Sequence, residues 1–366
     1  MPTEAEYQIA LTLTPQIGCV AAKTLVNHFG NATDIFKARK SSLAALEGIG
    51  SVRADAIKAF SDFETCRREV EFCHKHHLEL LFLTHEHYPK RLLNCYDSPT
   101  VLYYKGEANL NASKVATVVG TRLNSEYGRQ CTAELMEALA SHQVLIVSGL
   151  AFGTDTIAHR EALRCQLPTV ACLAHGLHTI YPAENKKLAT QMLEQQGGLL
   201  TEYRSGEPPD RHNFPTRNRI AAGMADVTIV IETDIEGGSM ITAELANGYN
   251  RDVMAYPGKT TDPKSRGCNH LIKTNKAALI TCGQDVVNAM NWAPAKAKKP
   301  VQRALFIELT ETEQLIYNQL LTVEQIHIDE LQFKCQLPAS ALSATLLTLE
   351  LQGLVSSLPG KMYRLV

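Results

Sequence analysis

Between residues 113 and 291 the chain repeats one pattern, a short apolar run followed by a stretch with helical periodicity. The apolar runs lie at 115–119, 144–147, 169–173, 198–201, 227–231, 253–256 and 278–280. Short apolar strands that alternate with helices are typical of βαβ units. Such units build a parallel sheet that is covered by helices on both faces, so both faces of every strand are apolar. The central part of the chain is therefore predicted to be such a sheet.

The segments on either side of the sheet have patterns of their own. Residues 1–65 contain two glycine turns, at Gly18 and at 48–50, and each is followed by a helical stretch with small residues near its start. This is the pattern of a helix-hairpin-helix pair, which either binds phosphate at its helix N-termini or serves as a packing module. Residues 66–112 are predicted to be a connector that ends in a turn and an edge strand. Residues 303–366 show three helical periods and a terminal hairpin, the pattern of a winged helix.

The predicted architecture is thus α/β, with a Rossmann-like parallel sheet core at 113–291. A helical domain of the helix-hairpin-helix (SAM-like) kind precedes it at 1–65, with the connector at 66–112. A linker rich in Pro, Ala and Lys follows at 292–302, and the winged-helix domain closes the chain at 303–366. Such a linker is expected to be extended.

Composition excludes several classes of protein. The net charge of −2 argues against a globally basic nucleic-acid binder, although it leaves room for a local basic pocket. No apolar run is long enough to span a membrane, and the first residues do not form a secretory signal, so we expect a cytoplasmic protein that makes no membrane contact. The ten cysteines form no CxxC pair and are expected to be reduced thiols. The histidine pairs 74/77 and 85/87 lack a completing Asp, Glu or Cys framework, so no metal site is predicted.

The ends of the predicted strands carry glycines and hydroxyl groups. In a parallel sheet, ligands bind outside the carboxyl ends of the strands. Three turns at that edge combine a glycine, a hydroxyl and the start of a helix, which are the parts of an anion site, although a single such turn is as often structural. The candidate phosphate-binding residues in these turns are Gly120, Thr121, Arg122, Ser125, Ser148, Gly149, Gly238, Ser239 and Thr242.

A cluster of arginines lies between two of the predicted strands. Three arginines and one phenylalanine fall within residues 211–219 of a chain that is net acidic overall. Arginine binds phosphate with a planar fork, and phenylalanine can stack on a nucleic-acid base. The alternatives are a solvated charged loop, or an arginine that pairs with Glu232. The candidate binding residues in this cluster are Phe214, Arg217, Asn218 and Arg219.

Several motifs, taken in order, resemble those of DprA, the bacterial DNA-processing protein of the Smf family. They lie at 118–122, 148–155, 181–182, 214–220, 238–243, 256–258 and 267–272. The resemblance covers about 113–290, and the helical and winged-helix flanks match that family's common plan. It implies a recombination mediator that binds and protects single-stranded DNA in natural transformation and loads RecA. It also implies a homodimer that needs no cofactor and is not an enzyme.

Two other functions compete with this interpretation. Gly237 and Gly238, followed by Glu244, loosely resemble the loop of phosphoribohydrolase-like Rossmann enzymes that bind nucleotides, but Met240 and Ile241 depart from that motif. A sequence-specific repressor that acts through its winged helix is the third class. Residues 303–366 carry four basic and seven acidic residues, a poor balance for binding duplex DNA. The sequence therefore favours a single-strand binder without catalytic residues.

Overall fold

The computed structural model describes residues 2–292 and 309–366, and the chain divides into two compact units, Met1–Trp292 and Ala293–Val366. The helices of the first unit are α1 (Glu4–Leu13), α2 (Cys19–Phe29), α3 (Ala32–Lys37), α4 (Lys40–Ala44), α5 (Gly50–Ala59), α6 (Phe63–His76), α7 (Lys90–Leu93), α8 (Glu126–Ala140), α9 (Thr154–Arg164), α10 (Lys186–Glu194), α11 (Asn213–Met224), α12 (Gly238–Gly248), α13 (Arg266–Lys273) and α14 (Gly283–Ala289). Its strands are β1 (Glu79–Phe82), β2 (Val101–Gly106), β3 (Val115–Val119), β4 (Leu145–Ser148), β5 (Thr169–Cys172), β6 (Gly198–Thr201), β7 (Val227–Val230), β8 (Asp252–Ala255) and β9 (Ala278–Leu279).

The strands of the first unit form one nine-stranded sheet in the order β1-β2-β6-β5-β4-β3-β7-β8-β9. The strands from β6 to β9 are parallel, as predicted. From β3 the chain moves outward to β6 and then returns to place β7 on the other side of β3. The strand order therefore reverses beside β3, which is where a doubly wound sheet forms its ligand crevice.

Alternate residues of the central strands supply two different cores. Ala116 and Val118 of β3 pack with Ile146 and Ile229 in one apolar cluster. Val115 of β3 belongs to the cluster on the opposite face of the sheet. Successive side chains of a strand point to opposite faces, so a strand that is buried on both sides must be apolar throughout. This confirms the α/β fold class expected from the apolar runs.

The segment 66–112, predicted to be a connector, contributes to the sheet itself. Its strand β2 pairs antiparallel with β6, and β1 pairs antiparallel with β2. The predicted edge strand is therefore internal, and β1 is the edge. The sequence pattern did not predict this pairing, because the two strands are short and are separated by a turn and by the single-turn helix α7.

The helices of residues 1–65 form the two expected hairpins and pack on the sheet. The side chain of Arg53 donates to the backbone carbonyls of Gln16 and Gly48 and so joins the two hairpin turns. Leu25 and Ile57 belong to the same apolar cluster as residues of the sheet. The helical segment and the sheet therefore share one core.

The second unit has the elements predicted for a winged helix. Its helices are α15 (Glu311–Leu321), α16 (Ile328–Cys335) and α17 (Ala339–Leu351), and its strands are β10 (Ile326–His327), β11 (Val355–Leu358) and β12 (Met362–Leu365). The three strands form an antiparallel sheet in the order β10-β12-β11. Ile316, Leu331 and Leu346 are central to its core. Of the predicted linker, 293–302 lies outside the described residues.

Two expectations from composition bear on the whole chain. All ten cysteines are unpaired in the structure. Within 2–292 and 309–366, no helix is both long and apolar enough to cross a membrane.

Candidate functional site

Four segments that were singled out in the sequence meet at the carboxyl ends of the central strands. The amide of Thr121, after β3, donates to the carbonyl of Glu232, after β7, at 2.6 Å. A guanidinium nitrogen of Arg217, on α11, donates to the carbonyl of Gly149, after β4, at 2.7 Å. The side chain of Asn218 donates to the carbonyl of Gly238 at 3.4 Å. These contacts bring the candidate residues to one crevice beside β3.

The N-terminus of α8 is already occupied by a carboxylate. Glu232 is buried and accepts hydrogen bonds from the amide of Ser125, at 2.9 Å, and from its hydroxyl, at 2.5 Å. Ser125 is also the N-cap of α8, and its hydroxyl accepts from the amide of Gly128 at 3.1 Å. Because negative charge is stabilised at a helix N-terminus, Glu232 takes the place that a phosphate would need. The prediction that Ser125 binds phosphate is thus not supported by the geometry, and Glu232 pairs with a helix end rather than with an arginine.

Arg217 is buried and points into the protein. Besides Gly149, it donates to the carbonyl of Cys172 at the end of β5. The carboxylate of Asp155 lies close by and accepts from the amides of Gly149 and Ala151 at 3.2 and 3.3 Å. Burial lowers the pKa of Arg217 and raises the pKa of Asp155, and the attraction between the two charges opposes both shifts. The guanidinium therefore fastens α11 to the strand ends, which differs from the predicted phosphate contact.

Gly149 is needed for this arrangement. A Cβ atom at this position would lie 2.5 Å from both terminal nitrogens of Arg217 and 2.6 Å from a carboxylate oxygen of Asp155. Any side chain at 149 would therefore displace the guanidinium. In the structure, the lack of a side chain at Gly149 lets the guanidinium of Arg217 lie close to the backbone.

Arg219 is also held inside the protein. It donates to the backbone carbonyl of Asp97 and forms an ion pair with Glu202, and the two side chains of the pair are only 10% and 15% exposed. It lies one helical position beyond Asn218 and faces the N-terminal helices, where it approaches the thiol of Cys19. Arg219, like Arg217, is thus held by groups of the protein itself, whereas the sequence predicted contact with phosphate. The backbone carbonyls that accept from both arginines, and the carboxylate that pairs with Arg219, come from other segments of the chain, which the sequence does not reveal.

Other candidate hydroxyl groups stabilise the strand ends. Ser148 donates to the carbonyl of Val118 at 2.7 Å, and Ser239 donates to the hydroxyl of Thr233 at 2.6 Å. Thr242 is buried on α12. Gly120 allows close packing, since a Cβ there would lie 2.3 Å from the hydroxyl of Thr154. These residues hold together the strand ends on which the crevice is built.

A smaller set of residues remains accessible at the mouth of the crevice. Arg122 is exposed, and its guanidinium carbon stands 5.6 Å from the ring centroid of Phe214. The ring of Phe214 lies 5.9 Å from that of Tyr181, which is 48% exposed. Asn218 is half-buried, and Gly238 is exposed with open space around its Cα. We call Arg122, Tyr181, Phe214, Asn218 and Gly238 the crevice rim.

Tyr181 was not among the predicted site residues. Its signal in the sequence was its place before Pro182 in one of the resembling motifs, which does not by itself show that the ring reaches Phe214. The rim joins one accessible cation to two aromatic rings. This combination suits a ligand that carries both phosphates and flat rings.

His159 is the buried titratable group nearest to Asp155 on α9. Its Nδ1 is 2.7 Å from the hydroxyl of Thr169 on β5, and its Nε2 has no hydrogen-bond partner. Burial, with a further effect from Arg217, lowers the pKa of His159 to about 3. The ring is thus neutral and packs α9 against β5.

Three family models match the chain. "DNA recombination-mediator protein A" matches residues 79–291, "DprA winged helix domain" matches 300–361 and "Helix-hairpin-helix motif" matches 9–70. The Smf protein of Synechocystis sp. is 30% identical over 395 residues, which is 99% of each chain. The DprA protein of Streptococcus pneumoniae is 42% identical over 200 residues, or 55% of this chain and 70% of the relative.

Solved structures agree with these matches. The structure of DprA from S. pneumoniae has a TM-score of 0.67 at 32% identity and covers 79% of this chain and 98% of its own. DNA processing protein A from Helicobacter pylori, whose structure is described for its single-stranded DNA binding mode, has a TM-score of 0.53 at 32% identity and covers 58% of this chain and 95% of its own. With the sheet, both flanks and the ordered motifs in agreement, the chain belongs to the DprA/Smf family of DNA-processing proteins.

Proposed function

We propose that the chain binds single-stranded DNA at the crevice rim and acts as a recombination mediator that protects the strand and loads RecA onto it. The family model that matches 79–291 is named for recombination mediators. The relative from H. pylori is described as binding single-stranded DNA. Both facts support the proposal for this chain.

The observation that carries the proposal is the accessible group of Arg122, Phe214 and Tyr181. The guanidinium of Arg122 is exposed over one ring, and the second ring continues the platform. A single strand exposes unpaired bases that can stack on aromatic side chains, while its phosphates bind cations. The bases of a duplex are paired and stacked inside it, so duplex DNA would contact only the guanidinium of Arg122. The rim is thus better matched to single strands than to duplex DNA.

The remaining candidate residues support the rim rather than contact DNA. Arg217 and Arg219 hold α11 in place, and so they set the positions of Phe214 and Asn218 on the same helix. Glu232 and Ser125 fix the start of α8 beside Arg122. DNA contacts are proposed for Arg122, Phe214, Asn218, Gly238 and Tyr181. In this proposal the buried residues position the rim, and the exposed and half-buried residues of the rim bind DNA.

RecA and a second copy of the chain are the proposed protein partners, and no enzymatic turnover is proposed. The first crossover offers no free anion site to a nucleotide, because Glu232 already occupies the N-terminus of α8. If the chain loads RecA, it should shorten the lag before RecA assembles on single strands coated with a single-strand-binding protein. An unchanged lag, with DNA binding intact, would remove RecA loading from the proposal.

The test of DNA binding compares single- and double-stranded oligonucleotides of the same length with the full chain. We expect tighter binding to single strands, little sequence preference, and a log affinity that falls with log salt by about 0.7 for each phosphate contacted. Equal affinity for both forms would contradict the proposal. An affinity that does not depend on salt would show that arginine–phosphate contacts do not carry the binding.

A further inference from the structure

Three side chains with metal-ligand chemistry meet on the outer edge of the large sheet. Glu79 is the first residue of β1, and His85 and His87 lie in the loop after that strand. Oε1 of Glu79 is 2.7 Å from Nδ1 of His87 and 3.8 Å from Nε2 of His85. Within the described ranges, this is the one group of three or more His, Cys, Asp or Glu residues whose ligand atoms all lie within 4.8 Å of one another.

The loop that carries the two histidines is built by consecutive tight turns. The amide of His85 donates to the carbonyl of Phe82 at 2.8 Å, and the amide of Tyr88 donates to the carbonyl of His85 at 3.0 Å. The loop ends at the buried ring of Tyr88, whose hydroxyl donates to the carbonyl of Pro99 at 2.6 Å. Both ends of the loop are thus anchored, and the turns fold the histidines back toward Glu79.

We propose that Glu79, His85 and His87 form a binding site for a divalent transition-metal ion of the zinc type. One carboxylate and two imidazoles are a common ligand set for Zn²⁺ sites that keep an open position. Ligands placed tetrahedrally around zinc lie roughly 3.3 Å apart, given metal–ligand distances of about 2.0–2.1 Å. The two distances from Glu79 lie on either side of that value, and the ligand nitrogens of the two histidines lie within 4.8 Å of each other, so local shifts of the exposed side chains would bring the three ligands around one ion.

The fourth position of this site would face solvent. The side chains of Glu79, His85 and His87 are 37%, 34% and 62% exposed. Water, or a ligand from another molecule, could therefore complete the coordination. Four strands, β2, β6, β5 and β4, separate β1 from β3. The site is thus distinct from the crevice, and it does not depend on the proposed DNA binding.

Metal binding would exchange two local hydrogen bonds for coordinate bonds, the first being the one between Nδ1 of His87 and Oε1 of Glu79 at 2.7 Å. Nδ1 of His85 accepts from the amide of His87 at 3.2 Å. A metal at Nε2 requires the ring proton at Nδ1, which cannot then accept that hydrogen bond. The amide lies in an exposed loop, so water can replace the lost partner. The metal would in return fasten β1 to the loop that leads to α7.

The test uses the full chain, freed of metal and kept reduced, and titrates it with Zn²⁺ alone at about pH 8, because metal binding to histidine competes with protons and is favoured at higher pH. We expect one equivalent to bind at this site and the melting temperature to rise. Titration with Co²⁺ should give visible d–d absorption without a thiolate charge-transfer band, because no cysteine belongs to the site. That band would identify metal held by one of the ten free cysteines instead.

The variants Glu79→Gln and His87→Asn should each lose the equivalent and the rise in melting temperature. The matched control is His74→Asn, an exposed histidine on α6 outside the three-residue group, which should bind as the wild type does. Melting curves without metal verify that each variant is folded, and if one is not, the other decides. Uptake that is unchanged in both variants, or lost equally in His74→Asn, would overturn the proposal.

Discussion

Three arginines near the crevice have the same charge but different environments. Arg217 and Arg219 are buried. Arg217 donates to two backbone carbonyls and to the side chain of Asn218, and Arg219 donates to the carbonyl of Asp97 and pairs with Glu202. Arg122 is exposed, and its recorded contact is with the ring of Phe214. A buried guanidinium with satisfied donors contributes to folding, whereas an exposed one is free to meet a phosphate. The three residues should therefore respond differently to substitution.

Arg122→Ala should fold normally and bind single-stranded DNA more weakly by ~1.5–3 kcal/mol, the range for a hydrogen bond to a charged group. Arg122→Lys should recover only part of the loss, since lysine lacks the planar fork and stacks less well on a ring. Affinity and melting temperature are measured on the same samples. Arg129→Ala is the matched control, because Arg129 is 62% exposed on α8 and its nearest carboxylate lies at 4.0 Å. Wild-type affinity in Arg122→Ala would remove this residue from the site.

Arg217→Met should instead lower the free energy of unfolding by about 3–5 kcal/mol, because the carbonyls of Gly149 and Cys172 would lose their donor and the buried Asp155 would lose the attraction of the nearby guanidinium. Adding Asp155→Asn should cost less than the sum of the two single changes, since the buried charge is then removed as well. Urea unfolding of the four proteins measures this coupling. If Arg217→Met keeps full stability and loses only DNA affinity, the guanidinium must leave its buried position to bind phosphate.

At the scale of elements, His159 shows how a helix is held to a strand. The buried ring joins α9 to Thr169 of β5 and is neutral, since its pKa in the folded protein is about 3, against 6.5 for a free histidine. Protonation would place a charge in an apolar layer close to the guanidinium of Arg217. The packing of α9 on the sheet should therefore weaken in acid.

The stability of the chain should fall as the pH decreases from about 6.5 toward about 3, with a slope of up to about 1.4 kcal/mol per pH unit from this group. The sign follows because the unfolded chain binds a proton in this range and the folded chain does not. His159→Gln should remove this part of the slope, whereas the exposed His28→Gln should not. Asp155, whose pKa burial raises, acts in the opposite direction, but it is present in every protein compared. Equal slopes in all three proteins would show that His159 is not neutral when folded.

Elements with a strong local pattern could be predicted from the sequence. The apolar runs located every parallel strand, and the three helical periods predicted within 303–366 correspond to α15, α16 and α17. For residues 211–219 the sequence favoured a phosphate-binding cluster, with a solvated charged loop as an alternative, and it did not predict the helix α11 that begins at Asn213. Pro215 lies in the first turn of this helix, where proline is tolerated because its missing amide has no partner to lose.

The sequence could not show which polar side chains at the crevice are buried and which are exposed. Arg217 is buried and donates to backbone carbonyls at the ends of two strands, which are far from it in the sequence. In the same way, the pairing of β1 with β2 joins segments about twenty residues apart. Residues from several of the sequence motifs meet at the carboxyl ends of the central strands. The motifs could not separate the accessible rim of the crevice from the groups that support it, because that distinction depends on long-range packing.

At the scale of the molecule, residues 1–292 behave as one body rather than as separate helical, connecting and sheet domains. Leu25 of the helical segment, Leu102 of β2 and Val147 of β4 belong to a single apolar cluster. Cutting the chain at 112 would remove two strands and expose that cluster to water, which is unfavourable in proportion to the apolar area exposed. The smallest piece suited to binding measurements is therefore 1–292.

Ending the chain at Trp292 should leave the affinity for single-stranded DNA within about tenfold of the full chain, or ~1.4 kcal/mol. The residues of the proposed rim all lie in the first unit, and the two compact units divide after this residue. The segment removed, 293–366, carries seven basic and seven acidic residues, and α17 contains no lysine or arginine. Its net electrostatic contribution to binding a phosphate backbone should thus be small. A loss well beyond tenfold, in a shortened chain whose melting curve remains cooperative, would show that the winged helix forms part of the DNA site.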